Sequence, residues 1–67
     1  MNKYQIKVRI DPRNIYVLDD IIEGYDGLGL VTTINAKMGE VVVHVTPDTY
    51  DDIMAILQNF PCPITII

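Results

Sequence analysis

Between residues 4 and 10 apolar and polar side chains alternate without a break, Tyr4, Ile6, Val8 and Ile10 against Gln5, Lys7 and Arg9. A period of two is that of a strand with one buried and one wet face. Asp11-Pro12-Arg13-Asn14 interrupts the pattern, and Asn14 stands where a helix N-cap is expected. The period then lengthens. At 100° per residue Ile15, Val17, Leu18, Ile21, Ile22 and Tyr25 share one side of a helix, opposite Tyr16, Asp19, Asp20, Glu23 and Asp26. Gly27 suits the left-handed position that stops such a helix, and Gly29 adds a second breaker.

Residues 30–35 are rich in β-branched side chains and read as a second strand. Asn35 through Gly39 supply turn residues, with Gly39 able to take a positive φ at the return of a hairpin. The third strand is expected over 40–46, with Val41, Val43 and Val45 facing inward and Glu40, Val42, His44 and Thr46 outward. Pro47 marks the start of a second helix, capped by Thr46 or Asp48. Over 48–60 its apolar side holds Tyr50, Ile53, Met54, Ile56, Leu57 and Phe60. Pro61-Cys62-Pro63 ends it, and residues 64–67 form a short last strand.

The order β-α-β-β-α-β, with helices that each have one apolar face and strands that alternate, implies an α+β sandwich covered on one side only. Right-handed crossovers give a four-stranded antiparallel sheet of order 4-1-3-2 with both helices on one face, the ferredoxin-like layout. Residues 1–67 are read as a single domain, since nothing in them resembles a linker, a solenoid repeat or a low-complexity segment.

Composition narrows the function. Five basic against nine acidic residues leave a net charge of −4, the wrong sign for a module held on nucleic acid by phosphate contacts. The outward positions of the first and third strands also lack the aromatics on which RNA bases stack. No apolar run reaches the ~18 residues of a membrane span, so no membrane partner is expected. Residues 1–5 have no apolar signal core and one cysteine makes no internal disulfide, so a cytoplasmic location is expected. With 49% hydrophobic residues on a short chain, self-association is expected too.

Candidate chemistry is sparse. His44 lies on the outward side of the third strand beside Lys7 and Arg9 of the first, a ligand-binding trio or, more ordinarily, a solvated sheet surface. Arg13, with Asn14 after it, precedes the first helix, where a guanidinium and free backbone N–H groups can meet an anion. Cys62, between two prolines and after a helix, reads as structural, and one Cys with one His falls short of a metal site. No catalytic residue, metal or cofactor is assigned, and an enzyme is not expected. Seven of the nine acids sit on the two helices, while Lys3, Lys7 and Arg9 share one parity of the first strand, so the molecule should be electrically two-sided.

Residues 15–29 with their Glu23-Gly24-Tyr25-Asp26-Gly27-Leu28-Gly29 segment, Val31-Thr32-Thr33, and the stretch 39–47 resemble a family of small bacterial proteins known as a domain of unknown function. More distantly the topology is similar to ACT domains. That resemblance implies a dimeric, non-enzymatic module that binds an amino acid or another small ligand in a regulatory role. The first loop carries Pro12 where ACT domains commonly have a glycine. The competing expectation is an interaction module whose basic open face docks an acidic partner. A homodimer is expected through a sheet edge, because neither outer strand carries the lysines or internal prolines that guard one.

Overall fold

The alternation of the first strand survives intact in the computed structural model, which describes residues 4–24 and 29–67. Strand β1 (Gln5–Ile10) turns Ile6, Val8 and Ile10 into the core and leaves Gln5, Lys7 and Arg9 on the other face. Helix α1 (Ile15–Glu23) follows, then the hairpin of β2 (Leu30–Asn35) and β3 (Glu40–His44), helix α2 (Tyr50–Gln58) and β4 (Ile64–Ile66). All neighbouring strands are antiparallel, in the order β2-β3-β1-β4, which is the ferredoxin-like 4-1-3-2 arrangement.

One core holds the layers together. Ile6, Val8, Ile10, Val41, Val43 and Val45 come from the sheet, Leu18 and Ile22 from α1, and Ile53 and Leu57 from α2. Burying a side chain of this size is worth about 1.5–3 kcal/mol, so ten of them carry most of what folds so short a chain. Among the described residues no polar or charged side chain is buried with them.

The hairpin depends on one backbone geometry. Ala36 to Gly39 form the turn, Asn35 Oδ1 accepts the Met38 amide at 3.2 Å, and Gly39 takes φ 71°. An L side chain is disfavoured there, and a Cβ would also run into the Ile10 carbonyl oxygen. Ile10 cannot retreat, because its amide donates to the Gly39 carbonyl at 2.9 Å. Gly29 is pinned differently. A Cβ on it would lie 2.6 Å from the His44 carbonyl oxygen and 3.1 Å from Ile53 Cδ1, so the chain entering β2 passes close to both layers.

The element ends differ from the pattern-based expectation, for main-chain reasons. Asn14 makes no side-chain cap; Asp11 does, its carboxylate accepting the Arg13 amide at 2.9 Å. Pro12 is the cause. It starts a 3-10 turn (Pro12–Asn14) one turn before α1, and so moves the cap back to the residue ahead of the proline. At the other helix Thr46 and Thr49 exchange bonds, each hydroxyl accepting the other's amide at 3.0 and 3.3 Å. The pair ties the turn ahead of the helix; the N-cap itself is Thr49 rather than Thr46 or Asp48, and its side chain makes no cap bond to the helix. Regular helix begins at Tyr50 rather than 48, while Asn59, whose side chain donates to the Ala55 carbonyl at 2.9 Å, closes it before Phe60.

α1 ends at Glu23 with Gly24 as its cap, in right-handed conformation at φ −79°. Tyr25 and Gly27, expected as the last apolar residue and the stop of this helix, lie outside the described residues. β3 stops at His44 rather than 46, though the Val45 amide still bonds the Tyr4 carbonyl at 2.9 Å and keeps Val45 in the core.

Candidate functional site

With one sheet face packed under the helices, candidate chemistry falls to the open face and the loops. β1 and β3 set that face. Their register puts Arg9 opposite Glu40, Lys7 opposite Val42 and Gln5 opposite His44. Lys7 Nζ lies 3.5 Å and Arg9 Nη2 3.8 Å from the same oxygen, Glu40 Oε2. Glu40 is thus a shared anion between two cations, and the basic character of the open face is partly offset.

His44 stands apart from that trio. It lies four positions along β3 from Glu40, about 14 Å at 3.4 Å per residue. Its Nε2 is 2.9 Å from Thr32 Oγ1, across the β2–β3 ladder. Lys7, Arg9 and His44 share a face, as expected from the alternation: Lys7, opposite Val42, is the diagonal neighbour of His44, and Arg9 lies two residues further along β1.

Arg13 points its guanidinium at its own loop. Nη2 and Nε lie 3.0 and 3.3 Å from the two carboxylate oxygens of Asp11, a fork-like pair across one intervening proline. The guanidinium and the amide bond together hold the Asp11 carboxyl below its usual range, and the carboxylate raises Arg13 in return. Asn14 donates its amide to the Asp11 carbonyl at 2.8 Å and is half-buried. The loop thus binds its own anion. Asp19 moves the other way: partial burial, with Glu23 and Asp20 nearby, raises its carboxyl.

Where β1 ends, an open hollow of about 470 Å³ lies between the hairpin turn and the segment entering β4. Ile10, Pro12, Met38, Pro63 and Ile64 supply apolar lining; Arg9, Asp11 and Thr65 supply the polar groups. Arg9 therefore belongs both to the open face and to this hollow. The sequence pointed to Arg9 through its parity but gave no sign of Met38 or Pro63, which the fold brings in from loops 25 residues apart.

A further contact crosses from helix to sheet edge. Glu23 Oε2, in the last residue of α1, accepts the Val31 amide of β2 at 3.1 Å. No helix among the described residues is long and apolar enough to cross a membrane, and no group of three or more His, Cys, Asp or Glu among them is placed to hold a metal ion.

These features define a small α+β module of ferredoxin-like layout, with a bare sheet face and a hollow at the end of its first strand. A family model described as Domain of unknown function (DUF4911) matches residues 8–64, from the middle of β1 to the start of β4, and the chain belongs to that family. No curated protein and no solved structure matches it.

Proposed function

We propose that this chain is a non-enzymatic, ACT-like binding module of the cytoplasm. It takes a small molecule bearing a carboxylate or phosphate into the hollow at the end of β1, with Arg9 as the group that reads the anion. The observation that carries this reading is the hollow itself. Its volume of about 470 Å³ lies within the roughly 300–1,000 Å³ of small-ligand sites and its lining combines apolar walls with a few polar groups, but it is wide open to solvent, so a ligand there keeps much of its surface exposed.

Arg9 is better suited than Arg13. The Asp11 carboxylate occupies the fork of Arg13, whereas Arg9 has a single partner at 3.8 Å and a half-exposed side chain, leaving donors for an incoming anion. The same geometry weighs against an acidic protein partner on the open face, since Glu40 sits between the two cations such a partner would need.

Thermal melting with a panel of amino acids, nucleotides and sugar phosphates tests the proposal. A ligand at 100 times its Kd adds about 2.7 kcal/mol, which should raise the Tm of so small a domain by roughly 10 °C or more. Arg9→Ala should abolish the shift while leaving the ligand-free Tm nearly unchanged. If no compound raises the Tm, or if Arg9→Ala keeps the full shift, the reading fails.

A further inference from the structure

The two edges of the sheet are not equivalent. Ladder phase decides which main-chain groups each one presents. The Val45 and Ile10 amides bond to the Tyr4 and Gly39 carbonyls, so odd-numbered residues of β3 face β1 and even-numbered ones face β2. Leu30 and Thr32 of β2, paired with His44 and Val42, are therefore the bonded positions, and Val31 and Thr33 point their amides outward. The first of these is already taken by the Glu23 carboxylate at 3.1 Å. A register irregularity between Thr33 and Asn35 distorts the rest. An anion on the outward amide and a break in the ladder are both devices that keep another strand off an edge.

At β4 the phase is set by the Ile67 amide, which donates to the Lys7 carbonyl at 2.8 Å. Thr65, opposite Arg9, has the same phase, so Ile64 and Ile66 turn their N–H and C=O groups away from the sheet. No side-chain device guards this edge: residues 64–67 have no charged side chain and no proline, and their ladder has no bulge. Ile66 and Ile67 stay 41% and 51% exposed, although both are large and apolar.

We infer that a second copy of this chain pairs with β4, antiparallel about a two-fold axis through Thr65, to make one continuous eight-stranded sheet. The segment is suited to itself. In Ile64-Thr65-Ile66 the axis sets Ile64 of each copy opposite Ile66 of the other, all on the helix side, and the threonines face one another on the open side. The outward groups of Ile64 and Ile66 then form two reciprocal pairs of main-chain hydrogen bonds. Arg9 of each copy lies one strand inside the junction, so the two guanidinium groups are three strand spacings apart, about 14 Å and beyond the Debye length at physiological salt. Ile64 and Thr65 also line the hollow, so the added strand lies beside it.

Sedimentation equilibrium of the whole chain at micromolar concentration should give the dimer mass. Ile66→Pro removes only the outward donor and leaves the β1 ladder intact, so it should give a monomer with native circular dichroism. Ile66→Lys, which places a charge at a side chain already 41% exposed, gives the same reading if the proline variant does not fold. Thr33→Pro removes the equivalent outward amide of β2 and should leave the dimer in place. In the wild type the Ile66 amide should exchange with solvent slowly, and in Ile66→Lys quickly. A wild type that sediments as monomer, a dimer that survives substitution at Ile66, or one that Thr33→Pro dissociates would overturn the inference. None of these outcomes depends on whether the hollow binds a ligand.

Discussion

The same two strands, β1 and β3, present two faces of opposite character. On the helix side Ile6, Val8, Ile10, Val41 and Val43, with Val45 just past the end of β3, are none of them more than 8% exposed. On the open side Lys7, Arg9, Glu40 and His44 are held by two long ion pairs and one hydroxyl contact. The backbone is shared, so the contrast comes from side chains alone. A slip of one residue in register would exchange the faces, and burial of charge is what forbids it. The inner face specifies the fold. The open face is constrained so loosely that its residues are free to serve binding.

The largest effects should come from breaking the inner face. Val43→Asp puts a carboxylate where exposure is zero and where, among the described residues, no polar side chain is buried to receive it. A cost of more than about 4 kcal/mol rivals the whole stability of a domain this size, so the variant should show no cooperative melt by circular dichroism. Leu57→Asp tests the same core from α2. Native melting of either would show the faces to be misassigned. Gly39→Ala comes next. The left-handed conformation costs an L residue about 1–2 kcal/mol, and the collision with the Ile10 carbonyl adds to it, so a denaturant titration should show a loss of about 2 kcal/mol or more at unchanged slope.

This gradient parallels what could be read from the chain. Alternation at Tyr4 to Ile10 and at Val41 to Val45 was legible because burial on one face has a period of two, and the strand order followed from crossover handedness. Gly39 was legible because few other residues tolerate its φ. Helix ends were less so, since a wheel locates the apolar face while main-chain capping locates the termini. Thr46 and Thr49 tie the turn ahead of the second helix, and Pro12 shifts the first cap from Asn14 to Asp11. Least legible were contacts that depend on how the chain doubles back. The Asp11–Arg13 fork needs the 3-10 turn to bring i and i+2 together, and the Glu23–Val31 bond crosses from helix to edge strand. The hollow belongs to the same class, because Met38 and Pro63 have no local pattern that unites them.

On the open face a substitution should move function more than stability. Glu40→Gln removes the anion shared by Lys7 and Arg9, both partly exposed, so it should change the unfolding free energy by less than about 1 kcal/mol. It also releases Arg9. Titration calorimetry with a compound identified by the melting screen should therefore show several-fold tighter binding than the wild type. Unchanged or weaker binding would remove Arg9 from the role proposed for it.

The smallest effect separates two carboxylates of opposite sign. Asp11 has its pKa lowered by the hydrogen-bonded Arg13 side chain, so its contribution is complete above the unfolded-state value near 3.8 and is lost as pH falls through the still lower folded value. Asp19 has its pKa raised, by desolvation first and then by Glu23 and Asp20. Its contribution is complete below the unfolded value and is lost as pH rises through the folded one. Asparagine keeps the shape of both side chains and remains a good N-cap at position 11. At neutral pH Asp11→Asn should therefore melt slightly below the wild type and Asp19→Asn slightly above it. Both differences should be small, because Asp11 is exposed and Asp19 only partly buried, so solvent screens both. As the pH is lowered toward 3 the two melting curves should converge on the wild type from opposite sides, the Asp19 difference closing first because its folded pKa is the higher. Melting temperatures from pH 7 to pH 3 check this directly. An Asp11→Asn variant whose deficit grows on acidification would show that the Asp11–Arg13 fork does not stabilise the folded loop.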